Sequence, residues 1–214
     1  DTSDKSTGIL GASGCGKSMT LKAIAGIITP DSGRIELNGR VLFDSDKKIN
    51  LSPQKRKVGY LFQNYALFPN MTVEENIGAG IHEKKEKRLC KIKEMIDVFH
   101  LCGLEKQYPA QLSGGQQQRV AFARMLASDA EILLLDEPFS ALDYYLKEQL
   151  KEQLLELISK CRKDVILVTH DRDEAFSLCQ NLIIMEQGHR VCSGASKDIF
   201  ASPGYLAAAR LTGC

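Results

Sequence analysis

The residues of this 214-residue chain that most directly imply chemistry are Gly11-Ala12-Ser13-Gly14-Cys15-Gly16-Lys17-Ser18. Gly11 and Gly16, with four residues between them and Lys-Ser following, let successive backbone N–H groups turn toward one point. A ring of such donors at the start of a helix holds phosphate oxygens. Lys17 adds a mobile positive charge for the outer phosphates, and the Ser18 hydroxyl suits Mg²⁺. Cys15 lies inside the same loop and has two readings: an exposed thiol activated by its electropositive surroundings, or a small apolar filler of the core.

Two further stretches carry chemistry. Ile132-Leu133-Leu134-Leu135 is a continuous apolar run ending in Asp136 and Glu137. A strand buried on both faces would deliver these carboxylates side by side, one to hold Mg²⁺ and one to accept a proton from water. Leu112-Ser113-Gly114-Gly115-Gln116 precedes the helical run Gln117–Ala127. Ser113, Gly114, Gly115 and Gln116 would then offer hydroxyl and backbone donors at a helix N-terminus, a second anion-binding surface in one chain. The plainer reading of this stretch is a capped helix start.

The elements that must position these residues alternate between strand and helix. Thr7–Leu10 reads as a buried strand entering the glycine loop, and Lys17–Thr29 as the helix leaving it, stopped by Pro30. Arg34–Phe43 brackets Asn38-Gly39, a hairpin signal. Val58–Phe62 is a further strand, and the chain from Asn64 to about Ser128 is mostly helical, most clearly at Lys84–Cys102. Leu146, Leu150, Leu154, Leu157, Ile158 and Cys161 mark one helix face. Val165–Thr169 and Leu182–Met185 read as strands on either side of the helix Asp173–Cys179, the second turning at Gln187-Gly188. This alternation predicts an α/β fold with a mostly parallel sheet flanked by helices.

Composition limits the rest. The hydrophobic fraction of 43% and charged fraction of 26% suit one globular domain, and the net charge of +1 offers no footprint for nucleic acid. Seven cysteines without metal-ligand spacing suggest free thiols in a reducing compartment. No apolar run reaches the length of a membrane span, so a membrane role would have to pass through a partner. The mixed charges of His82–Arg88 read as a solvated helix face.

With these motifs in order, the chain resembles the nucleotide-binding subunit of an ABC transporter, a P-loop ATPase. Gly11–Ser18 and Ile132–Glu137 stand where that family has its Walker A and Walker B motifs, and Leu112–Gln116 where it has its signature. Gln63 is similar to the Q-loop glutamine, Ser140-Ala141-Leu142-Asp143 to the D-loop and His170 to the switch histidine. The resemblance implies a core over 1–63 and 129–214 that includes a small antiparallel β subdomain, with an inserted helical subdomain over about 64–128. It implies ATP and Mg²⁺, the metal held by Ser18, Gln63 and Asp136. Glu137 would be general base, with His170 and Gln63 beside it. It further implies a head-to-tail homodimer in which Ser113–Gln116 and Asp143 of one copy complete the ATP site of the other.

Glu137-Pro138-Phe139-Ser140-Ala141-Leu142-Asp143 and Gln63-Asn64-Tyr65-Ala66-Leu67-Phe68-Pro69 resemble importers of sugars, sulfate and molybdate. Tyr65, Leu67 and Phe68 would then meet integral membrane permease subunits at the cytoplasmic face of the membrane. Packing within the helical region is the alternative for these three. Ala207–Cys214 is similar to the junction before the oxyanion-sensing domain of molybdate ATPases, which favours molybdate. Two departures stand out: the family's N-terminal strand with an adenine-stacking aromatic has no counterpart in the ten residues before Gly11, and the regulatory domain has none after Cys214. A soluble non-transport ABC ATPase and a nucleotide-dependent dimerisation module are the alternative functions.

Overall fold

The computed structural model describes residues 6–140, 144–161 and 163–213, without the side chains of 145, 146, 153 and 157–161. In chain order the elements are β1 (Ser6–Leu10), α1 (Lys17–Ala25), β2 (Arg34–Leu37), β3 (Arg40–Asp44), β4 (Ile49–Asn50), α2 (Pro53–Arg56) and β5 (Val58–Leu61). There follow α3 (Val73–Gly78), α4 (Lys85–Val98), a 3-10 turn (Pro109–Gln111) and α5 (Gly114–Ala127). The last part comprises β6 (Ile132–Asp136), α6 (Tyr144–Cys161), β7 (Asp164–Thr169), α7 (Arg172–Leu178), β8 (Asn181–Glu186), β9 (His189–Ala195), α8 (Ser196–Ala201) and α9 (Leu206–Thr212).

The main sheet has the order β5-β6-β7-β1-β8-β9, and a separate sheet has the order β2-β3-β4. All neighbours in the main sheet run parallel except the β8–β9 hairpin. Leu133, Leu134 and Leu135 of β6 are fully buried because both faces of the strand are covered. The two-residue period divides them: Leu134 joins Leu21 and Ala25 of α1, whereas Leu133 and Leu135 join α5 and the Leu150–Leu154 face of α6. Ile77 of α3, Ile96 of α4 and Phe122 of α5 belong to that second cluster, so the helical stretch shares a core with the sheet. Parallel strands end at one edge, which brings together the turns after β1, β5, β6 and β7. Ligands bind at that edge in open α/β sheets.

The expected α/β fold with its mostly parallel sheet is present, and Asn38 and Gly39 have the positive φ values, 51° and 77°, of the expected hairpin turn. The helix expected over 17–29 ends at Ala25, where Gly26 takes a φ of 79°. The cause is tertiary. Arg56 is fully buried, and its guanidinium donates to the Ala23 and Ile24 carbonyls (2.7 and 2.9 Å), to the Leu51 carbonyl (2.8 Å) and to Asn50 (2.8 Å). It therefore satisfies carbonyls that a continuing helix would have used. A Cβ on residue 26 would lie 2.6 Å from Arg56 Nε, so the close approach also requires glycine. The helix expected over 84–102 stops at Val98, because His100 adopts a φ of 50°. The strand β9 and helices α8 and α9 were not legible as separate elements.

Arg56→Met should leave four acceptors without their donor. Hydrogen bonds to a charged group are worth about 1.5–3 kcal/mol each, and partial rehydration limits the total, so a loss of roughly 2–4 kcal/mol is expected. For a domain of this size that lowers the melting temperature by about 5–15 °C. A thermal melt within a degree of the parent protein would show that Arg56 does not hold α1 in place.

Candidate functional site

Leu10 ends β1 fully buried, and the chain then turns through Gly11–Gly16 into α1. A Cβ at residue 11 would sit 2.4 Å from the Met185 carbonyl oxygen and 2.6 Å from Cys15 Sγ, so only glycine lets the loop start there. Gly16 caps α1 with a φ of 99° and contributes no side-chain cap. The first N–H groups of α1 are thereby left for a ligand, with no acidic side chain in the first turn.

Lys17 is nearly buried. Its Nζ donates to the Gly11 carbonyl at 2.8 Å and the Ala12 carbonyl at 2.9 Å, folding the cation over its own loop. Cys15 is buried beside Ile9, Leu21 and Met185, which decides between its two readings in favour of packing. On the outer side of the loop, Ala12–Cys15 share a pocket with Met185–Gln187 and with Ala207, Arg210 and Leu211 of α9.

On the inner side, Ser18 Oγ donates to Asp136 Oδ1 at 2.7 Å. The other carboxylate oxygen, Oδ2, accepts from the Tyr60 hydroxyl at 2.8 Å. Burial, and then this hydrogen bond to Asp136, push the Tyr60 phenol well above the usual tyrosine range, so it stays a donor. Ser18, Gln63 and Asp136, the three expected metal-site residues, line one polar pocket with Lys22, Phe62 and Asn64. A hydroxyl, a carboxylate and an amide are hard donors, and one carboxylate leaves room for water and phosphate oxygens. That set fits Mg²⁺. Gln63 is exposed, and its amide donates to Ser140 Oγ at 3.4 Å.

Glu137 follows Asp136 with a φ of 46°, a left-handed conformation that costs a non-glycine residue on the order of 1 kcal/mol. The turn is held at both ends. Glu137 N–H donates to the Val168 carbonyl at 3.0 Å, and Ser140 N–H and Oγ donate to the Glu137 carbonyl at 3.3 and 3.1 Å. Glu137 Oε2 lies 3.4 Å from His170 Nδ1, so the ends of β6 and β7 bring the expected base and the expected switch histidine together. Of the Ser140–Asp143 stretch only Ser140 is described; Asp143 lies outside the described residues.

Ser113 caps α5 in a reciprocal box with Gln116: its hydroxyl accepts from Gln116 N–H at 3.3 Å, and its own N–H donates to Gln116 Oε1 at 2.8 Å. The Ser113 and Gln116 side chains are engaged in the cap, Gly115 is buried, and Gly114 is left exposed beside them. The Ser113–Gln116 turn lines neither pocket of the Gly11–Ser18 loop.

The stretch after Gln63 is fixed from α5. Tyr65 and Ala66 have φ values of 60° and 43°, and Arg124 donates to both carbonyls, at 2.9 and 2.8 Å. Tyr65 and Leu67 pack partly against the core, while Phe68 is exposed with the Arg124 guanidinium 5.2 Å from its ring centroid. Gln118, fully buried, accepts from the Tyr65 hydroxyl at 3.4 Å and donates to the Pro138 carbonyl. Sequence reasoning missed Tyr60, Gln118 and Arg124. Tyr60 looked like one more strand residue, and nothing in the spacing marked its hydroxyl.

The family profile described as "ABC transporter" matches residues 2–140. A sulfate/thiosulfate import ATP-binding protein of Chromobacterium violaceum is 42% identical over 207 residues, covering 96% of this chain and 55% of the relative. A spermidine/putrescine import ATP-binding protein of Oleidesulfovibrio alaskensis is 39% identical over 208 residues, covering 96% and 54%. Among solved structures, a dimeric post-hydrolysis ATP-binding cassette bound to ADP and phosphate superposes with a TM-score of 0.75 at 30% identity, covering 90% of this chain and 85% of that one. The chain belongs to the ABC transporter ATP-binding family and has its cassette fold. It spans about half the length of these two curated relatives.

Removing the Tyr60 hydroxyl tests the carboxylate's surroundings. Loss of an outer hydrogen bond to a metal-holding carboxylate typically weakens metal binding about ten- to a hundred-fold. Tyr60→Phe should therefore raise the Mg²⁺ concentration for half-maximal ATPase activity by that order. An unchanged Mg²⁺ titration would remove Tyr60 from the site.

Proposed function

We propose that the chain is the ATP-hydrolysing subunit of an importer, acting as a head-to-tail homodimer against membrane permease subunits. The observation that carries this reading is the 2.7 Å contact between Ser18 and Asp136, which sets a phosphate loop beside a carboxylate with the Glu137–His170 pair next to it.

The backbone N–H groups of Gly14–Ser18 receive the β- and γ-phosphates, and Lys17 exchanges its loop carbonyls for phosphate oxygens. Ser18, Asp136 and Gln63 would hold Mg²⁺, which supplies positive charge against the phosphate oxygens when bound. Glu137 takes a proton from water as the water oxygen attacks the γ-phosphorus and the bond to the β–γ bridging oxygen breaks. ADP leaves with that oxygen. His170, within reach of Glu137, orients the carboxylate and the water. The Ser113–Gln116 turn closes over the ATP of the second copy, Asp143 being read as a contributor to that shared site, and the stretch 64–128 is the helical unit that carries the turn.

Among the described residues no helix is long and apolar enough to cross a membrane. Membrane contact would come through the permease, with Phe68 the exposed contact among the three residues singled out and Tyr65 and Leu67 shaping the surface behind it. The transported solute is read as an oxyanion. The Chromobacterium relative is named for sulfate or thiosulfate import, and the Ala207–Cys214 junction is what favours molybdate.

Glu137→Gln should lower the hydrolysis rate by roughly 10²–10⁴-fold, the worth of a positioned general base, and leave ATP binding intact. Steady-state hydrolysis together with equilibrium ATP binding checks this. Hydrolysis at the parent rate would overturn both the role of Glu137 and the enzymatic reading.

A further inference from the structure

The residues flanking His170 are held by a charge cluster that the hydrolysis scheme does not use. Lys147, near the start of α6, places Nζ 2.5 Å from Asp171 Oδ2 and 2.6 Å from Glu174 Oε1. The Glu174 side chain is only 4% exposed and that of Lys147 20%, so the cation answers a carboxylate withdrawn from water. The remaining atoms are also committed. Glu174 Oε2 accepts from the Thr169 hydroxyl, Thr169 Oγ1 accepts from Asp171 N–H at 3.0 Å, and Asp171 Oδ1 caps α7 by accepting from the N–H groups of Asp173 and Glu174 at 2.8 and 3.2 Å. Burial opposes the charge on Lys147, yet the two carboxylates hold its ammonium above the usual lysine range. Asp171, despite its own burial, lies below the usual carboxylate range because of Lys147 and the two backbone donors.

His170 thus sits between two residues, Thr169 and Asp171, whose side chains both belong to this cluster, while its imidazole points toward Glu137. The cluster spans two connections. α6 continues the loop that begins at Glu137 and Ser140, and α7 continues the turn that carries His170. Lys147 is the cation that joins them.

We propose that Lys147 is a positioning residue for hydrolysis: by tying α6 to the first turn of α7 it fixes His170 opposite Glu137. The proposal rests on the ATPase reading above for its kinetic consequence, whereas its geometric consequence is independent of turnover. A neutral residue at 147 leaves the buried Glu174 carboxylate without its counter-ion, releases Asp171 Oδ2 and lets the His170 turn drift. A misplacement of about 1 Å at a reacting centre costs on the order of a hundred-fold in rate.

The test compares Lys147→Met with Lys147→Arg. In Lys147→Met, kcat should fall between about ten- and a hundred-fold, with KM for ATP within about two-fold of the parent value, because the phosphate loop is untouched. Lys147→Arg keeps the cation and should recover most of the rate. The imidazole resonances of His170, assigned by their loss in His170→Gln, should move in Lys147→Met, while those of His82, His100 and His189 stay in place. Parent-like kcat in Lys147→Met, a rate loss with unmoved His170 resonances, or an arginine variant as slow as the methionine variant would each overturn the proposal. Should Lys147→Met fail to fold, Asp171→Asn keeps a side-chain cap on α7 and removes one of the two charges facing Lys147, the one next to His170 in sequence. It should slow turnover and move His170 in the same way, and unchanged rate and resonances would overturn the proposal. If the parent protein hydrolyses no ATP, the functional reading fails by itself, and the His170 resonances still decide the positioning role.

Discussion

The hydrogen bond from Ser18 to Asp136 joins two residues 118 positions apart, and the rest of the site is arranged around it. It requires β1 and β6 to end at the same edge, which a parallel sheet supplies, and it requires the loop after β1 to turn back at once into α1. The glycines permit that turn, and the buried apolar faces of β6 and α1 fix its direction. Once Ser18 and Asp136 are adjacent, Glu137 and His170 follow from the strand ends, and Gln63 from β5 beside them. A change that separated β1 from β6 would break up a group of five residues drawn from four separate stretches of the chain.

Much of this was legible because it is local. Gly11–Ser18, the apolar run into Asp136 and the Ser113 cap are each set within a few residues, and their chemistry can be read from residue type and spacing. The sheet was legible from alternating periodicity. The end of α1 was not, since Ala25–Thr29 continues a helical pattern and only Arg56, some thirty residues on, explains why Gly26 terminates it. Cys15 was ambiguous for a related reason: whether a thiol in a phosphate loop faces solvent depends on Met185 and Leu21, which come from elsewhere in the chain. The functions of Tyr60 and Gln118 were invisible because a strand pattern and a helix pattern absorb them completely.

Cations that answer backbone carbonyls or withdrawn carboxylates recur at each joint of the molecule. Arg56 closes α1, Arg124 holds the stretch after Gln63 to α5, and Lys147 joins α6 to α7. Such contacts are costly to break, because the remaining partner is left without water, and so they define positions more sharply than apolar packing alone. Gln118 performs a neutral version of the same task. From the helix that Ser113 opens, it reaches both Tyr65 and the Pro138 carbonyl just beyond Glu137. The two helix starts and the carboxylate turn are therefore parts of one connected framework.

The phosphate loop is the claim on which the account stands, and Lys17 tests it most directly without requiring turnover. ATP binding measured by calorimetric titration of the parent protein and of Lys17→Ala compares a cradle with its cation and one without. Deleting charge-assisted hydrogen bonds worth about 1.5–3 kcal/mol should weaken ATP roughly ten- to a hundred-fold. Equal dissociation constants for the two proteins would contradict the assignment of Gly11–Ser18 as the site of the phosphates.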